Sequence, residues 1–74
     1  MLSNLKKIAD DNYECEWDGP SHVYDYSIRK EKRYWHVDGF NSNIRNHDAA
    51  HVGSDRFGTF QGAIDFILTD GFRS

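Results

Sequence analysis

Thr59-Phe60-Gln61-Gly62-Ala63-Ile64-Asp65-Phe66-Ile67-Leu68-Thr69-Asp70-Gly71-Phe72 is the stretch that decides the fold. Phe60, Ala63, Ile64, Ile67 and Leu68 fall at i, i+3, i+4, i+7 and i+8, a complete apolar stripe for an amphipathic helix. Thr59 stands where a side-chain cap belongs. Gly71 sits where a left-handed residue ends a helix, with Phe72 next to cover the last turn. Gly62 costs about 1 kcal/mol of helix propensity relative to alanine. A residue without a side chain there lets the helix lie close on a sheet.

The stripe needs an apolar surface to pack on, and the upstream sequence supplies one with a period of two. Tyr13, Cys15 and Trp17 alternate with Asn12, Glu14, Glu16 and Asp18, which reads as a half-buried strand. Asp18-Gly19-Pro20-Ser21 reads as a turn. From His22 to Arg29 the alternation resumes, with Tyr24, Tyr26 and Ile28 on one face and Val23, Asp25, Ser27 and Arg29 on the other. Lys30-Glu31-Lys32 is a polar turn, and Trp35 and Val37 mark a third strand. Asp38-Gly39 carries the signature of a type I′ hairpin turn. Phe40, Ser42 and Ile44 then give a short fourth strand.

The two flanks are less periodic. Leu2, Leu5, Ile8 and Ala9 have roughly helical spacing, so residues 1–9 read as a flexible arm or one short helical turn. Residues 45–58 are rich in Asn, Asp, His, Ser and Gly and read as a long loop, with a short edge pairing around Ala50 to Val52 as one option. The expected class is α+β: one domain over 1–74, with a small three- to four-stranded antiparallel sheet packed against one C-terminal helix. Its core should hold Tyr13, Cys15 or Trp17, one face of 23–28, Trp35, Val37, Ile44, Phe60, Ile64, Ile67 and Leu68.

Bulk properties narrow the functional classes. A chain of 74 residues is one domain with little material for a deep pocket. The single cysteine excludes an internal disulfide, so a reducing cytoplasm is expected. No apolar run follows Met1 as in a signal peptide, and none approaches the roughly 18 residues of a membrane span. A net charge of -3 disfavours non-specific nucleic-acid binding by the whole surface. That charge is bipolar. Asp10, Asp11, Glu14, Glu16 and Asp18 crowd one stretch, and Arg29, Lys30, Lys32 and Arg33 the next. Neighbouring strands should let these charges partly neutralise each other.

No constellation of catalytic residues emerges, and an enzyme is not expected. His47 and His51 have the i, i+4 spacing of a helical zinc site around Asp48, but Asn46 and Gly53 oppose a helix and no cysteine or glutamate completes the shell. They read as surface histidines, with no metal and no cofactor. Cys15 lies between two glutamates, which raise a thiol pKa, so it reads as a core residue. Glu14 and Glu16 share an exposed strand face without the desolvation that general acid–base pairs require. The glycines form no phosphate-binding loop. The hairpin Arg29-Lys30-Glu31-Lys32-Arg33-Tyr34-Trp35-His36 is the one nucleic-acid-like feature, since cations beside aromatics suit single strands. Arg, Tyr and Trp serve a protein interface equally.

With its strands running to Trp35-His36-Val37-Asp38-Gly39-Phe40 and its final helix from Phe60 to Phe72, the chain resembles in outline the small host-takeover proteins of lytic bacteriophages. These are short, acidic, aromatic-rich and free of catalytic motifs, and they include transcription regulators that bind bacterial RNA polymerase. The resemblance implies a protein of the host cytoplasm that inhibits initiation by sigma exclusion or displacement and permits terminator read-through. The same outline fits an inhibitor of a CRISPR or restriction complex. A small nucleic-acid-binding protein is the third reading. The expected partner-facing residues are Asp10, Asp11, Glu14, Glu16, Arg33 and Tyr34, on a chain that is monomeric when free.

Overall fold

A computed structural model describes residues 1–43 and 49–73. Its strands are β1 (Leu2–Ala9), β2 (Asn12–Asp18), β3 (His22–Glu31), β4 (Tyr34–Asn43) and β5 (Ala49–Phe57), followed by helix α1 (Phe60–Thr69). The strands form one antiparallel meander in the order β1-β2-β3-β4-β5. The α+β class is therefore as expected, with five strands among the described residues rather than three to four.

Both extra strands come from segments whose periodicity is broken by bulges. β1 pairs with β2 from Leu2↔Trp17 to Ala9↔Asn12, with register shifts between Ser3 and Lys6 and between Lys7 and Ala9. A bulge adds one residue to a strand. Two of them turn a period of two into the three-residue spacing of Leu2, Leu5 and Ile8 that imitates a helix. Leu2–Ala9 is thus an edge strand, and the segment is neither an arm nor a helical turn. β5 occupies most of the segment read as a loop. Its ladder to β4 runs from Trp35↔Phe57 to Ser42↔Ala49, with a shift at Gly39/Phe40. Backbone pairing holds this strand together despite its weak β propensity. Ile44, Asn46, His47 and Asp48 lie outside the described residues.

Asp38-Gly39 is not a turn. Gly39 lies inside β4, opposite Tyr26 on one side and Gly53 on the other. The β3–β4 turn falls instead at Lys32-Arg33, where Lys32 takes φ 58. A different demand selects the glycine. A Cβ on Gly39 would lie 2.8 Å from the Phe72 ring, and one on Gly53 would also lie 2.8 Å from it. The paired glycines form a notch on which that ring rests.

The core lies between one face of the sheet and α1, which packs over β4 and β5. Cys15, Tyr26, Ile28 and Val37 meet Ala63, Ile64 and Ile67, with Tyr13, Trp17, Trp35, Phe60, Phe66 and Phe72 packed around them. Leu68 is the exception to the predicted stripe: it is 44% exposed, whereas Ile67 is fully buried. A ten-residue helix at one side of a five-stranded sheet buries Ala63, Ile64 and Ile67, and position 68 falls outside that contact.

The helix ends follow the sequence. Thr59 is extended, and its Oγ1 accepts from the Gly62 amide at 3.0 Å. Gly71 is left-handed at φ 56 and donates to the Phe66 carbonyl at 2.9 Å. Phe72 is also left-handed, at φ 62, which is uncommon for an aromatic residue. Three contacts hold it there: the Asp70 Oδ1 accepts its amide at 2.9 Å, its ring meets Phe66 at 4.8 Å edge-on, and the glycine notch receives it. Tyr26 fastens the same corner. Its buried hydroxyl donates to the Gly71 carbonyl at 2.6 Å and accepts from Arg73 Nη1 at 2.9 Å, while the Arg73 guanidinium lies 3.8 Å from the Trp17 ring.

Candidate functional site

Helix α1 packs on one face of the sheet, over β4 and β5. Among the described residues no element covers the other, and the side chains on it are mostly polar. Directly opposed residues in an antiparallel ladder share a face, so the register maps this open face row by row. The first row is Ala9–Asn12–Arg29–His36–Arg56. The second is Lys6–Glu14–Ser27–Asp38–Ser54, and the third Ser3–Glu16–Asp25–Phe40–His51. In the fourth, Asp18 faces Val23, which faces Ser42 on its other side. Beyond the first row, Glu31 faces Tyr34.

Between β2 and β3 this register overturns the expectation that the acidic and basic stretches neutralise each other, although Lys6 of β1 does stand opposite Glu14. Glu14 faces Ser27 and Glu16 faces Asp25, while Arg29 is opposed by the neutral Asn12. Two like charges directly opposite destabilise a sheet by about 0.2–1 kcal/mol. The Asp25 carboxyl is pushed above the usual range, first by partial burial and then by Glu16 and Glu14. With Asp18, these residues form an acidic block across β2 and β3.

The block is held from β1. Asn4 Nδ2 donates to Glu16 Oε1 at 2.7 Å and Ser3 Oγ to Asp18 Oδ2 at 3.0 Å. Asn4 adopts φ 53, inside the first bulge. The irregularity that disguised β1 in the sequence thus brings an amide onto a carboxylate of the open face. Side chains fixed before binding lose less entropy on contact.

Beside the block lies a second polar cluster centred on Asp38. His36 Nε2 and His51 Nε2 each lie 3.4 Å from its Oδ1, and Arg29 Nη2 lies 3.9 Å from its Oδ2. The His51 ring also meets Phe40 edge-on at 5.3 Å. No group of three or more candidate ligands is placed to hold a metal ion among the described residues.

The structure separates the predicted partner-facing residues. Glu14 and Glu16 lie on the open face within the block. Asp10 and Asp11 form the β1–β2 turn, where Asp10 pairs with Lys7 at 3.3 Å and Asp11 takes φ 56. Arg33 is exposed in the β3–β4 turn, at the same end of the sheet, as the bond from the Lys30 amide to the Asp11 carbonyl shows (2.9 Å). Tyr34 is 42% exposed, with the Arg56 guanidinium 5.1 Å from its ring. Trp35 points the other way, into a cluster with Phe60 at 5.0 Å and Tyr13 at 6.2 Å. The basic-aromatic hairpin is therefore divided between two faces, and its tryptophan is withdrawn from stacking. Cys15 is a core residue: burial, then Glu16 and Asp25, push its thiol up to about 11.

Asp25, Asp38, His36 and His51 complete the face and were not singled out as site residues from the sequence. His36 and Asp38 stand two apart on β4 and share a face, which the reading of Asp38-Gly39 as a turn concealed. The approach of Asp25 to Glu16, and of His51 to Asp38, depends on register. Comparison with family models, with curated proteins and with solved structures finds no match for this chain.

Proposed function

We propose that this chain is a phage-type transcription regulator that binds bacterial RNA polymerase and inhibits initiation by excluding or displacing the sigma factor. The open face of the sheet is its docking surface. The observation that carries this proposal is the acidic block, in which Glu16 stands opposite Asp25 with Glu14 and Asp18 alongside. Such a block costs the free protein stability, and a cationic surface would remove the repulsion. Polymerases present such surfaces where they hold nucleic acid, and complementary charge raises encounter rate and specificity. The resemblance to small phage proteins supplies the identity of the partner.

The test is capture from bacterial lysate with the whole chain as bait, followed by promoter-dependent transcription with purified polymerase. Recovery of core subunits and loss of initiation are expected. Recovery of a CRISPR or restriction complex instead would move the assignment to that inhibitor class. Binding to DNA or RNA alone, falling steeply with salt, would replace the polymerase proposal with a nucleic-acid-binding one.

A further inference from the structure

We propose that the Asp38 cluster is a pH-sensitive control on the open face: protonation of His36 and His51 weakens its hold on a cationic partner. This rests on the docking role given to that face. The geometry that carries it is the convergence of two imidazole nitrogens, each 3.4 Å away, on one carboxylate oxygen. Histidine is the side chain whose ordinary charge change falls between pH 5 and 8. Neutral imidazoles can each donate a hydrogen bond to Asp38 and leave its charge in place. Imidazolium ions would neutralise it and add a further positive charge to the face.

The surrounding charges decide the sign. Arg29 and Arg56 flank His36 in the register from both sides, and Asp38 stands beside it on the same strand face. His51 has Asp38 and the Phe40 ring beside it. Asp25 lies in the same row as His51, beyond Phe40. Two new cations therefore arise beside the acidic block, and the net negative potential of the face falls. Protonation of Asp25 itself acts in the same direction, so the histidine contribution has to be isolated by substitution.

The experiment measures binding of a nonaarginine peptide, by fluorescence anisotropy at low salt, to the whole chain and to His36→Gln/His51→Gln at pH 8.0 and 5.5. Glutamine can still donate to Asp38 but takes no charge. The natural chain is expected to bind at least about fivefold more weakly at pH 5.5, fivefold being the effect of roughly one unit charge at contact distance in water, while the variant loses much less. Ring-proton titrations by NMR should follow the same pH dependence as binding. Equal loss in both proteins would overturn the proposal and leave carboxylate titration as the cause. No loss in either, or no peptide binding at pH 8.0, would overturn it as well. Polymerase capture at pH 8.0 is scored separately. Its failure with peptide binding intact removes the polymerase and leaves the switch.

Discussion

Alanine at Gly39 should destabilise the protein through one aromatic ring. The added Cβ would lie 2.8 Å from Phe72 Cδ2 and 3.2 Å from both Tyr26 Cε1 and Val52 Cγ2. Overpacking of this kind costs about 1–3 kcal/mol. Removing a glycine from a strand returns about 0.5–1 kcal/mol, so the net expectation is a loss of about 0.5–2 kcal/mol. The Phe72 ring can move only by leaving its contact with Phe66 or by altering a left-handed backbone already held by Asp70. In a Phe72→Ala background the closest contact is gone, and Gly39→Ala should then be close to neutral. The double-mutant coupling is therefore expected at about 1 kcal/mol or more. Urea unfolding followed by tryptophan fluorescence gives all four stabilities; with a slope near 1 kcal/mol per molar, Gly39→Ala should lower the midpoint by about 0.5–2 M. Gly58→Ala is the control, because nothing lies within 4 Å of a Cβ there. If Gly39→Ala matches the natural chain, or costs as much without Phe72 as with it, the notch does not explain the glycine.

Three other outcomes are expected. Ile67→Ala should cost about 2–5 kcal/mol, as full burial implies, while the half-exposed Leu68→Ala should cost under about 1 kcal/mol; urea unfolding compares them directly. Tyr26→Phe removes the donor to the Gly71 carbonyl and an acceptor for Arg73, and should cost about 1–3 kcal/mol by the same assay. Asp25→Asn should stabilise the chain by about 0.2–1 kcal/mol at pH 7 by removing a partly buried charge and its repulsion from Glu16 and Glu14. Because the folded-state pKa of Asp25 is raised, the native chain takes up that proton before the unfolded one as pH falls. The penalty in the natural chain therefore shrinks with acidity, and the gain from Asp25→Asn should fade between pH 7 and pH 4.

The sequence reading succeeded where a single local rule governs. Thr59, Gly71 and the apolar spacing of 60–67 define α1 by capping, left-handed backbone and helical period, each confined to one segment. Likewise Tyr13, Cys15, Tyr26, Ile28 and Val37 declare their face by alternation. It failed where two segments must be known together. Asp38-Gly39 has the composition of a hairpin turn, but its pairing with β3 and β5 makes it strand, and the glycine answers to Phe72, more than thirty residues on. β1 and β5 carry bulges, and a bulge shifts the alternation on which strand recognition relies. The acidic residues were visible as a run, but the run divides. Asp10 and Asp11 go to a turn, Glu14 and Glu16 to the open face, and Asp25 joins them from a different strand by register alone.

The most direct test is the rate at which purified bacterial RNA polymerase associates with the chain as ionic strength is varied. Three charge-neutralised variants are compared: Glu14→Gln/Glu16→Gln/Asp25→Asn on the open face, Asp10→Asn/Asp11→Asn in the β1–β2 turn, and Lys32→Gln/Arg33→Gln in the β3–β4 turn. If the open face is the docking surface, the first variant associates about tenfold or more slowly at low salt, the difference shrinks as salt is raised, and the two turn variants stay near the natural rate. If the first variant binds at the natural rate while either turn variant is slowed, the acidic block is only a solvated surface and the open face is not where the polymerase docks.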